Sequence, residues 1–420
     1  MVLDFNIVYS LLSKFERAGQ EETPSTPIRL VREMIDKLPP EIWSDPSKTF
    51  LDPACSTGTF LLEIVRKLNI GLASQIPDQT ERLKHILTKQ VWGLELSRVP
   101  FFMTKAAFEK LFIDTTGIVG EVNIYHANAL DGVEEIKDMK FDVVVMNPPY
   151  QAPQKAKGKK RGGGMSLWPK FVVAAFKRWT KKDGYVVAVH PSGWRKPSGE
   201  QNKSKGVFAA ITGSHVLFMS IHDSNDGKKT FKAGTRYDWY VAKKGETGKT
   251  IVRGEDGVEQ ELELSKMPWI PNYNFSKVLS ILGDNGEVIN DSSYHGQRDY
   301  VANSEGIPRY IYPVLRATNK KGVRWFYSSR NDKGHFGVPK VMFGDSGIND
   351  VVIDEKGDYG MTEHGIGIPI RNKKDGELLK KFLLGDEFKE ILDACSWGNF
   401  GIEWRLFGDL REGFWRGEQK

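Results

Sequence analysis

An asparagine, two prolines and a tyrosine form the clearest chemical motif in the sequence. The run from Phe141 to Met146 is apolar and rich in valine, which is typical of a buried strand, and Asn147, Pro148, Pro149 and Tyr150 follow it directly. Each proline lacks a backbone N–H, so this turn offers carbonyl oxygens, a carboxamide and an aromatic ring but few donors. Acceptors beside a flat ring favour a planar substrate that carries an amino group.

Other predicted strands also end at polar residues. Thr49 to Leu51 leads into a loop of small residues from Asp52 to Gly58 and then a helix, Val91 to Leu94 ends at Glu95, and Val122 to Tyr125 is followed by Asn128. A helix over residues 167–179 precedes a further strand at 185–189. This alternation predicts an α/β fold with a parallel, doubly wound sheet, which binds ligands beyond the carboxyl ends of its strands.

The first helix is predicted after residue 26. Thr26 is expected to be the N-cap and Pro27 the first helical residue, and apolar side chains at helical spacing continue to Leu38. The helix should end before the prolines at 39 and 40, because proline disfavours the helical conformation in the residue before it.

Composition sets wider limits. The chain has 420 residues, enough for two domains, and a formal charge of +6, which permits a polyanionic partner without requiring one. Two cysteines, Cys55 and Cys395, give neither a disulfide framework nor a zinc site and indicate a reducing compartment. Polar residues interrupt the first 17 positions, which therefore resemble neither a signal peptide nor a membrane span. We expect a soluble, cytoplasmic protein.

Taken in series, these motifs resemble a known family. Asp52-Pro53-Ala54, Glu95 and the motif at 147–150 are similar to those of the S-adenosylmethionine-dependent DNA amino-methyltransferases, most closely the N6-adenine class with the gamma motif order. The similarity covers roughly residues 23–245, with a weaker likeness to the C-terminus. It implies a Rossmann-like methyltransferase sheet followed by a mixed α+β target-recognition domain. It also implies double-stranded DNA as substrate, S-adenosylmethionine as cofactor and no metal.

The resemblance assigns the cofactor roles. Glu95 would bind the ribose hydroxyls, Asp52 and the backbone near Gly58 the methionine end, and Asn128 the adenine amino group of the cofactor. Many relatives have an acid where Asn128 stands, so that contact should be weaker. The whole set implied for the cofactor is Thr23, Pro24, Asp52, Pro53, Ala54, Gly58, Glu95, Asn128 and Asn147.

The chemistry explains the types of residue in the motif at 147–150. The exocyclic nitrogen of adenine is a poor nucleophile, because its lone pair is delocalised, so binding it in a pyramidal form favours reaction. The Asn147 side-chain oxygen and the Pro148 carbonyl would each accept one N6 hydrogen. No covalent intermediate is needed, and the sequence has no Pro-Cys nucleophile. The base must be flipped out of the duplex, with Tyr150 as one stacking face. The resemblance implies Phe231, ahead of the strand-like run 237–242, as the other.

DNA contacts are expected in two places. The sequence divides into a catalytic domain at 1–245 and a target-recognition domain at 246–420, whose C-terminal end is expected to pack back on the first. The predicted phosphate and DNA contacts are Lys155, Lys159, Lys160 and Arg161 in the first, and Arg316, Lys320, Lys321 and Arg324 in the second. A scaffold or dimerisation role for 246–420, and a merely solvated basic run at 155–161, remain open.

Other interpretations stay open as well. Asp52 could cap a helix, Glu95 could be a solvated carboxylate, Asn128 could stabilise a turn and Phe231 could be core. N4-cytosine methylation, RNA or protein-glutamine methylation on the same fold, and an inactive DNA-binding protein are the alternative functions. The sequence suggests a monomer and permits a separately encoded restriction endonuclease as partner.

Overall fold

Two compact units make up the chain. The computed structural model describes residues 26–151, 166–196, 205–333, 335–398 and 401–416. One unit comprises Met1–Trp194 and Glu200–Met267, and the other comprises Arg195–Gly199 and Pro268–Lys420. The boundary predicted after residue 245 thus lies 22 residues too early, because residues 246–267 add strands to the sheet of the first unit.

A mixed nine-stranded sheet forms the centre of the first unit. Its strands in chain order are β1 Phe50–Asp52, β2 Val91–Glu95, β3 Ile124–His126, β4 Phe141–Met146, β5 Thr180–Pro191, β6 His215–His222, β7 Tyr237–Lys243, β8 Thr250–Arg253 and β9 Glu259–Leu262. Their spatial order is β3-β2-β1-β4-β5-β7-β6-β8-β9. The first five are mutually parallel, whereas β7 runs antiparallel to both β5 and β6. The predicted α/β fold is therefore confirmed, with an antiparallel strand inserted in the parallel sheet.

Helices follow the strands as the alternation predicted. In the described part of the first unit they are Ile28–Ile35, Thr59–Gly71, Gln79–His85, Arg98–Thr116, Trp168–Ala174, Lys205–Thr212 and Ser224–Phe231. The chain goes outward from β1 through β2 to β3 and then returns to the other side of β1 with β4. The ends of β1 and β4 therefore flank a topological switch point, which is where sheets of this kind bind ligands. No described helix is both long and apolar enough to cross a bilayer.

The beginning of the first helix differs from the prediction. The helix starts at Ile28, and Pro27 rather than Thr26 occupies the N-cap position, without a side-chain capping bond. Proline has a fixed φ that suits this junction, but it has no side-chain acceptor for the first helical N–H groups. Leu30, Val31, Met34 and Ile35 are buried, which confirms the predicted amphipathic pattern.

The amino ends of three central strands are joined through one carboxylate. Asp142 Oδ2 accepts hydrogen bonds from the Thr49 amide and hydroxyl, both over 2.9 Å, and from Lys181 Nζ over 2.7 Å. Burial acts to raise the pKa of Asp142, but the Lys181 and Thr49 donors outweigh it and hold the pKa below its usual value. Thr49 directly precedes β1, Asp142 lies in β4 and Lys181 in β5, so the contact fixes the register of these strands at the edge opposite their carboxyl ends.

The second unit is mixed α and β. Its strands are β10 Val301–Ala302, β11 Tyr312–Asn319, β12 Gly322–Ser328, β13 Lys340–Gly344, β14 Val352–Asp354, β15 Gly360–Met361 and β16 Gly365–Pro369. They form a four-stranded sheet, β10-β12-β11-β15, and a three-stranded sheet, β14-β13-β16. The described helices are Phe275–Leu279, Lys373–Leu383 and Asp386–Ala394. An aromatic core that includes Trp269, Phe343, Phe388 and Phe407 gives this unit its own packing.

Candidate active site

Three adjacent strands bring the predicted site residues to one edge of the sheet. β1 lies between β2 and β4, and all three run parallel, so their carboxyl ends meet at the same edge. Asp52 is the last residue of β1, Glu95 is the last of β2, and Asn147 follows β4. Residues that are up to 95 positions apart in the chain are thereby neighbours, as the sequence analysis predicted for a doubly wound sheet.

The two carboxylates at this edge lie in a low-dielectric setting. Asp52 is 2% exposed, and its Oδ1 accepts a hydrogen bond from the Ala54 amide over 3.0 Å. Burial, and then the nearby charge of Glu95, raise the pKa of Asp52 to about 8. Within the described residues neither carboxylate has a Lys or Arg within 4.0 Å. A cationic ligand would favour the ionised form of Asp52 beside Glu95, so the pair suits a molecule with a positive centre.

Glu95 also organises the loop that follows β1. Its Oε2 accepts from the Ser56 amide over 2.9 Å, and its Oε1 accepts from the Ser97 amide over 2.6 Å. Each carboxylate oxygen has a second lone pair, so hydroxyl groups of a ligand could still donate to Glu95. The side chain is 9% exposed, which does not match the alternative of a freely solvated carboxylate.

The loop itself approaches a neighbouring helix closely. Ser56 and Gly58 both have positive φ, 45° and 79°, and Gly58 is the N-cap of helix Thr59–Gly71. A Cβ on Gly58 would lie 2.8 Å from Thr104 Cγ2, and the Thr104 hydroxyl donates to the Ser56 carbonyl over 2.6 Å. Glycine is therefore required at position 58 for both the backbone conformation and the space.

Cys55 in the same loop is not a reactive thiol. Burial, followed by the charges of Asp52 and Glu95, raises its pKa well above the ordinary value. The thiolate is the nucleophilic form of cysteine, and a raised pKa makes it scarce. The structure thus agrees with the sequence argument against a cysteine-linked covalent intermediate.

Asn147 has a buried polar atom that lacks a hydrogen-bond partner among the described residues. Its Nδ2 donates to the Thr26 hydroxyl over 3.0 Å. Its Oδ1 is buried and has no hydrogen-bond partner among the described residues. A buried acceptor without a donor is costly, and a ligand can supply the missing partner. The arrangement therefore suits a ligand with an N–H or O–H donor.

Tyr150 follows the two prolines, and its backbone carbonyl is fixed by two hydrogen bonds. Its carbonyl accepts from the Leu167 amide over 3.2 Å and from the Ser166 hydroxyl over 3.3 Å. Its own hydroxyl is buried and without a hydrogen-bond partner in the described residues. Burial, and then the charge of Asp238, raise the pKa of this phenol, which therefore stays neutral. The side chain as a whole is half-buried, so part of it remains accessible.

Phe231 lies in the hydrophobic core. It is 4% exposed and packs edge-on against the ring of Tyr237, with 5.0 Å between the ring centroids. The core alternative for this residue is the one that the structure displays, and the predicted second stacking face is not presented to solvent. Phe231 lies before β7, as the sequence analysis placed it. It is the last residue of the helix Ser224–Phe231, and the packing of this helix buries the aromatic ring.

Asn128 is engaged in a local turn. Its Oδ1 accepts from the Leu130 amide over 3.2 Å, and its Nδ2 donates to Asp131 Oδ2 over 2.8 Å. Both ends of the carboxamide thus have local partners, which is the turn-stabilising alternative considered from the sequence. The Asn128 carbonyl oxygen retains a second lone pair for a ligand donor.

The predicted DNA contacts fall into two groups. Thr23, Pro24, Lys155, Lys159, Lys160 and Arg161 lie outside the described residues. The other four basic residues share the hairpin of β11 and β12 in the second unit. Lys320 and Lys321 are exposed at its turn, while Arg316 and Arg324 each stack on Phe326, with 5.4 Å from guanidinium carbon to ring centroid.

Thr26 is a site residue whose role the sequence analysis missed. The sequence indicated only that Thr26 could cap a helix. Its contact with Asn147 joins positions 121 apart in the chain, so local sequence pattern cannot predict it. The described residues contain no group of three or more histidine, cysteine or acidic side chains placed to hold a metal ion.

Comparison with known proteins finds a family match for the segment that contains β1, β2 and β4. Residues 6–170 match the family model of the N-6 DNA methylases. The resemblance stated from the sequence motifs is confirmed for this segment. It contains Asp52, Glu95 and Asn147, so the site described above lies within the matched region.

Two curated relatives align with parts of the chain. An uncharacterized adenine-specific methylase of Mycoplasma pneumoniae is 35% identical over 98 residues, which is 23% of each chain. The methylase subunit of the type I restriction enzyme EcoEI of Escherichia coli is 26% identical over 145 residues, covering 34% of this chain and 27% of the relative. The alignments thus span about a quarter of each relative.

One solved structure resembles the chain over most of its length. It is the cryo-electron-microscopy structure of a DrdV–DNA complex, with a TM-score of 0.51 and 13% identity, covering 95% of this chain and 55% of the other. Identity at this level shows a shared fold only. The likeness extends through the second unit as well as the first.

Proposed function

We propose that the protein is an S-adenosylmethionine-dependent DNA methyltransferase that modifies N6 of adenine. The observation that carries the proposal is the unpartnered, buried Oδ1 of Asn147 at the carboxyl end of β4. The match of residues 6–170 to the N-6 DNA methylases supports the same conclusion.

The residues at the strand ends fit the cofactor. Asp52 and Glu95 would bind its methionine and ribose portions, because two buried carboxylates favour a ligand with a positive centre and hydroxyl donors. The loop of Pro53, Ala54 and Gly58 would let the ligand approach the backbone closely. S-adenosylmethionine supplies an electrophilic methyl group when it is bound.

Asn147 and Pro148 would prepare the substrate amine. The Asn147 oxygen and the Pro148 carbonyl each accept one hydrogen of N6, which draws the nitrogen from planar towards pyramidal geometry and frees its lone pair. Pro149, without an N–H, offers no competing donor to these oxygens. Tyr150 would stack on the flipped base, with its neutral hydroxyl buried beneath the accessible part of the ring.

The second unit would bind and read the DNA. Its β11–β12 hairpin presents Lys320 and Lys321 at an exposed turn, where ammonium groups can reach phosphates. Arg316 is restrained by Glu363, 3.4 Å away, and by Phe326, so it is ordered before any DNA binds. A restrained arginine loses little side-chain entropy when it contacts a base edge. We also propose that a restriction endonuclease acts alongside the protein, in keeping with the subunit name of the E. coli relative.

Modified-base sequencing tests the proposed activity. DNA from a methylation-deficient host that expresses the chain should carry N6-methyladenine in one short sequence motif. Asn147→Ala should abolish the mark. The matched control is Asn69→Ala, which changes an asparagine about 15 Å along the helix Thr59–Gly71 from the site and removes only its contact with Arg82. N4-methylcytosine would instead indicate the cytosine alternative, and labelled methyl groups in RNA or protein without modified DNA would refute the proposal.

A further inference from the structure

Thr26 and Asn147 form a buried contact next to the proposed chemistry. Thr26 is 6% exposed and directly precedes Pro27, the N-cap of the helix Ile28–Ile35. Its hydroxyl accepts the hydrogen bond from Asn147 Nδ2 over 3.0 Å. The bond uses one end of the carboxamide and leaves the other end, Oδ1, unpartnered among the described residues.

The orientation of this carboxamide determines what the site can bind. A hydroxyl can accept from an amide nitrogen or donate to an amide oxygen, so Thr26 could hold Asn147 in either orientation. Rotated by 180°, Asn147 would place two N–H donors at the position where Oδ1 now lies buried, without a hydrogen-bond partner among the described residues. Buried N–H groups without acceptors are rarer than under-satisfied carbonyl oxygens. The oxygen-outward orientation therefore costs less.

Neighbouring packing fixes Thr26 in place. Pro27 restricts the backbone at the junction, and the helix behind it buries Val31, Met34 and Ile35 completely. The Val31 amide donates to the Pro27 carbonyl over 3.0 Å, which ties the junction to the first turn of the helix. The hydroxyl therefore lies two residues before the helix, beside a first turn that is hydrogen-bonded and packed.

We propose that Thr26 is a positioning residue, which turns the Asn147 carboxamide so that its oxygen faces the substrate amine. The inference rests on the proposed function. It adds that Thr26 makes the site bind a substrate group that donates hydrogen bonds, such as an amine, in preference to a group that accepts them. Without the hydroxyl, both orientations of Asn147 leave polar atoms unsatisfied. The reactive orientation then loses its advantage.

A pair of substitutions separates positioning from folding. Thr26→Val has nearly the same shape as threonine but no hydroxyl, and Thr26→Ser keeps the hydroxyl while losing a methyl group. Loss of one net hydrogen bond corresponds to a change of roughly 5- to 10-fold in the populations of the two orientations. Because the two orientations then become about equally populated, the single-turnover rate of methyl transfer to duplex DNA should fall by roughly twofold in Thr26→Val. It should return close to the wild-type rate in Thr26→Ser, with the dissociation constants for S-adenosylmethionine and DNA unchanged in both.

A spectroscopic readout makes the test independent of catalysis. The side-chain Nδ2 signals of Asn147, assigned by their loss in Asn147→Ala, should shift in Thr26→Val and stay near their wild-type positions in Thr26→Ser. A wild-type rate in Thr26→Val would overturn the inference, as would equal losses in both variants. If the wild-type protein methylated no DNA, the proposed function would fail, whereas unchanged Asn147 signals in Thr26→Val would overturn the positioning role itself.

Discussion

Replacing Asp52 by asparagine should stabilise the first unit, and the gain should depend on pH. In the folded protein burial, followed by the charge of Glu95, raises the pKa of Asp52 to about 8 from the ordinary value of 3.8. The folded chain therefore keeps a proton that the unfolded chain has already released at neutral pH. Asparagine has the same shape and retains an oxygen for the Ala54 amide, but it has no proton to lose.

The magnitude follows from the two pKa values. Because the folded pKa lies above the unfolded one, ionisation of Asp52 in the unfolded chain lowers the free energy of unfolding progressively as the pH rises from about 4 to 8. A solution at pH 7 lies roughly three pH units above the unfolded pKa of Asp52. At 1.4 kcal/mol per unit, this difference corresponds to about 4 kcal/mol of folding free energy. Asp52→Asn should therefore gain little near pH 4, about 4 kcal/mol near pH 7 and about 6 kcal/mol above pH 8.

Urea unfolding followed by pulse proteolysis measures this gain. Peptides from the first unit should be quantified by mass spectrometry, because a chain with two units need not unfold in a single transition. The exposed Asp138 supplies the control, since Asp138→Asn changes a carboxylate that water already solvates. A difference between wild type and Asp52→Asn that stays constant from about pH 5 to 8 would refute the reasoning. The same substitution should weaken binding of S-adenosylmethionine, measured by calorimetry.

Three further changes test the loop, the core and the hairpin. Gly58→Ala should lower the free energy of unfolding by about 1–3 kcal/mol, because the residue has positive φ and its new Cβ would clash with Thr104; thermal melting checks this. Phe231→Ala should lower it by about 3–5 kcal/mol, and a loss of base stacking with unchanged stability would contradict the core position. Replacing both Lys320 and Lys321 by alanine should reduce the slope of log affinity for DNA against log salt by roughly two, and an unchanged slope would exclude phosphate contacts there.

The sequence was most informative about the strands that carry the candidate site. β1, β2 and β4 are short apolar runs that stop at Asp52, Glu95 and Asn147, and local pattern is enough to recognise such runs. The parallel arrangement then follows from the alternation with helices, because a parallel connection needs a crossover. For these reasons the polar edge of the sheet is predictable from local sequence pattern alone.

Features that depend on long-range packing could not be predicted in the same way. Local sequence pattern predicts Thr26 as a helix cap, but it cannot predict the contact of Thr26 with Asn147. Residues 250–262 have the composition of turns and hairpins, yet they extend the sheet because β8 pairs in parallel with β6. The burial of Phe231 likewise depends on its place in a core cluster that draws residues from across the first unit. Each outcome is set by a partner distant in sequence.

The Asp142 contact makes the alignment of the reactive edge depend on the opposite edge. Asn147 lies five positions after Asp142, a span of about 17 Å at the usual rise per residue of a strand. A strand slip of one position would turn every side chain of β4 to the other face, so a register held at one end is transmitted along its whole length. The Lys181–Asp142 ion pair, remote from the proposed substrate and cofactor, thus helps to set the alignment of Asp52 with Asn147.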